Sequence, residues 1–418
     1  MRVLMLSWEY PPVMVGGLGR HVHALATALA AAGHEVTVVT RHRDGSALQE
    51  TVDGVRVVRV PEDPPKFPLA TETLLAWTMA FNHALTRTAL KAVIADEYDV
   101  VHAHDWLVAH TAVALSELLE IPLVATIHAT EAGRHQGWLP GELSRGIHSV
   151  ECWLAHRARR VLVCSGYMRW EVTRVLGPDP STVEVIPNGV DAHAWRAPRP
   201  AVTAARSRFA GAGPLLGYAG RLVYEKGVQD LVGALPELRR RHPGLRLVIA
   251  GEGPYRSALQ EQAWSLNLHR AVCFTGFVGA DLPAVFAASN AVVVPSIYEP
   301  FGMVALEAAC AGAPLAVAAT GGLAEIVEPG VTGVTFPAKD PGGLARAVGT
   351  LLADRAEARR MARRALTMVY ERYTWSAIAA RTVQAYRTAM AAPAPADSGL
   401  EIVIPDGNLL AGTDNLMA

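Results

Sequence analysis

Short apolar runs that end in polar or glycine tips and lead into helix-forming stretches recur along this chain, and the pattern is laid down twice. Residues 2–7 read as a strand that Pro11 and Pro12 stop. Val15-Gly-Gly-Leu-Gly19 follows, then an alanine-rich amphipathic helix to Ala32, which Gly33 ends as a left-handed cap. Further strands are expected at 35–40, 55–60, 100–103, 123–127 and 161–164, with helices around 70–95, 106–119, 141–159 and 166–176. Val183-Glu-Val-Ile-Pro-Asn-Gly-Val-Asp191 closes the first series in turn chemistry. Residues 192–213 are rich in Ala, Pro and Arg without a period and read as a linker with a short helix. The pattern then restarts, with strands at 215–219, 245–250, 272–277, 291–295 and 315–318 and helices at 341–356, 357–370 and 376–390. Strands alternating with helices argue for parallel, doubly wound sheets. At 418 residues the chain is long enough for two domains. From Ala391 the chain is linker-like, with Leu400–Ile404 open to a short added strand.

Composition removes several function classes. Apolar residues make up 51% and charged residues 18%, which is a globular balance. A net charge of −1 gives no basic field for nucleic acid or anionic lipid. Cys152, Cys164, Cys273 and Cys310 are widely spaced, without metal-ligand spacing, and read as reduced core residues of a cytoplasmic protein. The apolar start, Met1–Leu6, is too short for a signal peptide. No run reaches the roughly 18 apolar residues of a membrane span.

The residues at the strand tips point to an anion. Arg221 and Lys226 sit in Gly220-Arg-Leu-Val-Tyr-Glu-Lys-Gly227, a strand-to-helix turn where both cations and the helix N-terminus can face one diphosphate. The alternative is a pair of solvated surface cations. Glu299 lies at the mouth of another such turn, before Pro300 and Gly302. Glu307 follows roughly 9 to 10 Å further on if the chain is helical from Phe301. The two acids can hold two ends of one extended ligand, or they are a helix cap and a surface acid. Gly16 and Gly17 allow close backbone approach to a ligand, although the G-x-G-x-x-G spacing of a nicotinamide site is absent. His102 and His104 resemble a metal pair, but no third ligand stands at matching spacing. No metal and no cofactor is therefore expected.

Glu299-Pro-Phe-Gly through Glu307 resembles the E-x7-E signature of retaining glycosyltransferases of family 4. Gly220-Arg through Lys226-Gly227 matches that family's G-R-x-x-x-x-K-G. Together with Val-Gly-Gly-Leu-Gly, His-Asp-Trp and His-Ala-Thr-Glu, the chain is most similar to actinobacterial glycogen-synthase-like α-1,4-glucosyltransferases, which build glycogen or methylglucose polysaccharides. The resemblance runs to about residue 390. It implies an α/β chain of the GT-B fold, two Rossmann-like doubly wound parallel-sheet domains facing each other across a cleft. The expected boundaries are 1–195 for the acceptor-side domain, 196–213 for the linker, 214–372 for the nucleotide-sugar domain and 391–418 for the tail. Helix 376–390 is expected to cross back onto the first domain.

By the same resemblance Arg221 and Lys226 bind the donor phosphates, Glu299 lies against the donor sugar and Glu307 holds the ribose hydroxyls. His128 contacts the sugar, and Gly16 and Gly17 lie by the phosphates. Phe301, Gly302, Met303 and Val304 line the donor, while His104, Asp105 and Trp106 form the acceptor wall. Phe277 falls near the base or joins the core; both readings stay open. No Asp-x-Asp is found, so the protein's own cations replace a metal. The reaction implied is transfer of glucose from ADP- or UDP-glucose to an α-1,4-glucan, with the acceptor attacking on the leaving-group face and the donor phosphate taking the proton. A GDP-mannose mannosyltransferase acting on a lipid or inositol acceptor, and a non-catalytic nucleotide-sugar-binding protein, are the alternatives. The partners expected are a nucleotide sugar and a sugar acceptor, without nucleic acid or a membrane span. Family 4 has membrane-associated members, so peripheral contact stays open.

Overall fold

The computed structural model describes residues 1–62, 67–93, 96–395, 402, 404 and 407–411. Two compact units emerge: Met1–Gly189 with Trp375–Ala418, and Val190–Thr374.

The first unit is built on eight strands: β1 (Arg2–Leu6), β2 (Glu35–Arg41), β3 (Gln49–Val52), β4 (Val55–Val60), β5 (Val100–His104), β6 (Leu123–Ile127), β7 (Arg160–Val163) and β8 (Val183–Val185), in the order β3-β4-β2-β1-β5-β6-β7-β8. All pairings are parallel except β3 with β4. The central strands are buried along nearly their whole length, which explains their continuous Val/Ile/Leu runs. Helix Gly17–Ala31 packs Val22, Leu25 and Leu29 onto Val3 and Met5. Gly33 is left-handed at φ +87, as its place after the helix required. Helix Trp375–Ala391 returns to the same core, with Ile378 and Tyr386 fully buried in it. Beyond it, Leu409 N donates to Gly137 O at 2.7 Å, and Arg174 donates to the carbonyls of Leu409 and Ala411. The short strand considered over 400–404 falls largely outside the described residues.

The second unit has six strands: β9 (Leu215–Ala219), β10 (Arg246–Ala250), β11 (Val272–Gly276), β12 (Ala291–Val294), β13 (Leu315–Ala318) and β14 (Val334–Phe336). They run all parallel in the order β11-β10-β9-β12-β13-β14.

The sequence of 192–213 predicts a linker with a short helix. It carries helix Arg199–Phe209, which belongs to the second unit. Ala205 and Phe209 are buried against Leu215, Val248 and Val285. The Arg206 guanidinium ties the helix down through Gly213 O, Ala288 O and Asn290 Oδ1 at 2.7–3.0 Å. Two buried apolar side chains and three charge-assisted hydrogen bonds make it a packed element. No described helix is long and apolar enough to cross a membrane.

Candidate active site

The parallel order brings the carboxyl ends of β9, β10, β12 and β13 to one edge, and each strand leads into a turn there. The turns interlock through their backbones. Gly220 N donates to Ala250 O and Leu222 N to Glu252 O, at 3.0 and 2.9 Å. A Cβ on Gly251 would lie 1.9 Å from Gly220 O, and one on Gly227 would lie 1.9 Å from Pro295 O. Glycine at both positions is therefore forced by close packing of loop on loop. Ile297 N and Tyr298 N both donate to Glu225 O, and Gly322 N donates to Glu299 O. Four loops are thus held in one fixed arrangement.

Onto that frame the structure sets Lys226 and Glu299. Lys226 Nζ lies 2.8 Å from Glu299 Oε2, and the same oxygen accepts from Ser296 Oγ at 3.0 Å. Arg221 is half-exposed and lies at ion-pair distance, 3.6 Å, from Glu225. Its carbonyl accepts from the buried Tyr218 hydroxyl, whose pKa is raised by burial and then by Glu299. Arg221, Lys226 and Glu299 therefore share one edge. The helix after Glu299 opens at Met303 rather than Phe301, because Gly302 has φ +116. A Cβ there would strike Leu323 Cδ2 at 2.5 Å. Phe301 is buried edge-on to Tyr373, while Met303 and Val304 are half-buried. Glu307 is 3% exposed, which excludes a solvated surface acid. Phe277 is 89% exposed, which excludes the core alternative.

The first unit gathers a second group at the ends of β5 and β6. The register pairs His104 with Thr126, so His104 and His128 come out side by side. Asp105 joins the two tips: its backbone N–H donates to Thr126 O, and its Oδ1 accepts from His128 N at 2.7 Å. Asp105 holds φ +62, ψ 175, a conformation costing on the order of 1–3 kcal/mol outside glycine, and it is buried. Burial pushes its carboxyl up to about 6, with the His128 N–H opposing. His104 Nδ1 and His128 Nε2 are 3.3 Å apart. Burial, then Arg134, lowers His128 to about 4, so the ring is neutral near pH 7. His128 nonetheless keeps part of its surface open. Trp106 is half-buried at the start of the next turn.

His102 is not half of a metal pair with His104. Its Nδ1 pairs with the Tyr386 hydroxyl and its Nε2 with Thr126 Oγ1, both at 2.7 Å, so both nitrogens are spent inside the core. Gly16 and Gly17 lie on open ground: a Cβ at either would meet no atom within 4 Å. Their loop is pinned by Glu9, a buried acid that sequence reasoning overlooked; its Oε2 accepts from Val15 N and Gly16 N at 2.8 and 2.9 Å. His21, on the helix just beyond, was also overlooked. Its ring lies 4.8 Å from that of His128 and 5.6 Å from that of His104.

Residues 15–194 match Glycosyltransferase Family 4, and residues 203–368 match Glycosyl transferases group 1. The glycogen synthase of Mycobacterium tuberculosis is 46% identical over 421 residues, covering 97% of this chain and all of that one. A D-inositol 3-phosphate glycosyltransferase of Kineococcus radiotolerans is 33% identical, over 93% of this chain and 95% of its own. Among solved structures, sucrose-phosphate synthase from Thermosynechococcus elongatus superposes with a TM-score of 0.80 at 26% identity, over 93% and 99% of the two chains. Two α/β units with parallel sheets and a cationic turn beside a paired acid define a GT-B glycosyltransferase, a hexosyltransferase that takes its sugar from a nucleotide donor. The chain belongs to glycosyltransferase family 4.

Proposed function

We propose that the chain transfers glucose from ADP- or UDP-glucose to an α-1,4-glucan with retention of anomeric configuration and without a metal on the diphosphate. The observation that carries this is the Lys226–Glu299 pair, 2.8 Å apart on a rigid loop frame at the carboxyl edge of the second sheet. Lys226 and Arg221 neutralise the diphosphate as the glycosidic bond breaks. Donors aimed at charge that grows in the transition state are worth roughly 3–4 kcal/mol each. Glu299 sits by the hexose, Glu307 takes the ribose hydroxyls and exposed Phe277 stacks on the base. Phe301, Gly302, Met303 and Val304 carry the chain past the donor. In the first unit His128 bonds a sugar hydroxyl as a neutral imidazole, Gly16 and Gly17 offer unobstructed backbone, and His104, Asp105 and Trp106 serve the acceptor. The acceptor hydroxyl attacks on the leaving-group face, and its proton passes to the departing phosphate.

The likeness to the mycobacterial glycogen synthase favours glucose and a glucan. A second reading is a GDP-mannose mannosyltransferase on a lipid or inositol acceptor, of which the likeness to the D-inositol 3-phosphate glycosyltransferase supports only the inositol acceptor. Release of nucleoside diphosphate from ADP-glucose, UDP-glucose and GDP-mannose, with and without maltooligosaccharide, decides between them. The expected result is release from a glucose donor that depends on the glucan, with α-1,4 linkages in the product by NMR. Release from GDP-mannose alone would replace the first reading by the second.

A further inference from the structure

His21, His104 and His128 come from three separate places in the chain, yet one nitrogen of each lies within 4.8 Å of the others. The contrast with His102 is informative. That ring lies 4.2 Å from His104 and has both nitrogens hydrogen-bonded, as a structural histidine should. His21 is 5% exposed and neither of its nitrogens meets a protein partner in hydrogen-bond geometry, although the Asn188 side chain is close enough to oppose the lowering of its pKa. His104 Nε2 is likewise buried without a partner. Orphaned donors and acceptors at this depth are costly unless a ligand uses them. Burial lowers the pKa of all three rings and so favours the neutral form, the one that ligates a metal. A tetrahedral zinc with Zn–N bonds of about 2.0–2.1 Å sets its nitrogens about 3.3 Å apart. His104 Nδ1 and His128 Nε2, which contact one another, already stand at 3.3 Å, and one nitrogen of His21 lies within 4.8 Å of the set. The Asp105 carboxylate, bonded to His128 N, supplies local negative charge, and the open side of His128 supplies an entry path.

We propose that His21, His104 and His128 bind one divalent transition-metal cation of the zinc type through three imidazole nitrogens, leaving a fourth position for water. Imidazole ligands suit zinc, copper and nickel over magnesium or calcium. The metal is not a helper of the diphosphate chemistry, whose residues lie on other loops. Its occupancy withdraws His128 from the sugar and slows transfer. That consequence rests on the sugar-contacting role given to His128 above; the binding site itself does not.

The test uses the full chain without a polyhistidine tag, titrated with ZnCl2 by calorimetry and with Co2+ by visible absorption. One equivalent should bind, and cobalt should give the intense d–d bands of a four-coordinate site. His21→Gln and His104→Gln should each weaken binding roughly 100-fold, as loss of one of three ligands implies. His83→Gln, an exposed control, should change nothing. His21→Gln keeps the test sound should His104→Gln disturb folding, and circular dichroism reports which variants are folded. Absence of a stoichiometric site, or equal affinity in folded His21→Gln, overturns the proposal. Zinc should also slow glucosyl transfer, with activity restored by EDTA. Binding with unchanged turnover keeps the metal site and overturns the role of His128 at the sugar.

Discussion

Lys226 Nζ meets Glu299 Oε2 at 2.8 Å, so the cation assigned to the donor diphosphate is shared with a carboxylate from the neighbouring loop. The pair is mostly shielded, with side chains 20% and 15% exposed. On the proposed reading, an incoming pyrophosphate would add a second anion to the same ammonium. Lys226→Ala should lower kcat by about 10²–10³-fold, the scale of removing one preorganised donor at developing charge. Lys226→Arg should recover only part of this, since a planar fork does not reproduce a compact ammonium. Donor turnover measured by nucleoside diphosphate release checks it, and near-full activity in the alanine variant would remove Lys226 from the chemistry.

Each partner of this pair protects the other from being left alone in a shielded place. Glu299→Gln and Lys226→Met should each destabilise the protein, and the double variant should cost less than their sum. A coupling of about 0.5–3 kcal/mol is expected from urea unfolding of the four proteins. Strict additivity would mean that solvent screens the pair completely.

Phe277 presents a nearly bare ring beyond β11. Phe277→Ala should leave stability within about 0.5 kcal/mol, as for surface positions. If the ring stacks on the donor base, donor KM should rise by roughly 5- to 150-fold, from about 1–3 kcal/mol per stacked base. An unchanged KM assigns the base to other residues.

Protonation of the first unit's histidines should limit its acid stability. His128 is lowered to about 4, and His21, His102 and His104 are also lowered, in each case chiefly by burial. On unfolding these four rings regain a pKa near 6.5 and take up protons, so stability is full above about 6.5 and is lost as pH falls toward 4. Asp105, pushed up to about 6, and Glu151, raised by burial, act in the opposite sense, because the folded chain holds protons there that the unfolded chain releases. Four rings outweigh two carboxyls, so Tm should fall from pH 7 to pH 5, and the fall should be shallower in His21→Gln. A Tm that holds or rises over that range contradicts the account.

The doubly wound pattern was legible because buried parallel strands write themselves as apolar runs rich in Val, Ile and Leu, and β1, β7 and β12 carry that signature. β3 was not, since Gln49-Glu-Thr-Val52 has three exposed residues and no apolar face. The turn beside it went unread, although Asp53 and Gly54 hold φ +53 and +78, the paired positive angles that make Asp-Gly a hairpin signal. Helix Arg199–Phe209 could be expected as a short helix but its packing could not, because its burial depends on partners some 80 residues away. Glu299 and Lys226 could be named from their motifs, but not their direct pairing. His21 could not be found by spacing at all, since only the sheet order carries the helix after β1 to the tips of β5 and β6.

Tyr386, in the last helix, is part of the core on which the first sheet relies. Fully buried, it presents its hydroxyl to His102 across 284 positions of chain. A nascent polypeptide that has released only residues 1–189 still lacks this plug, along with Ile378 and Ala385, and exposes the apolar face they cover. During synthesis the N-terminal sheet must therefore wait, incompletely sealed, while the whole intervening unit leaves the ribosome. Chaperone dependence at that stage, rather than final stability, is where lesions in the last helix should first be felt.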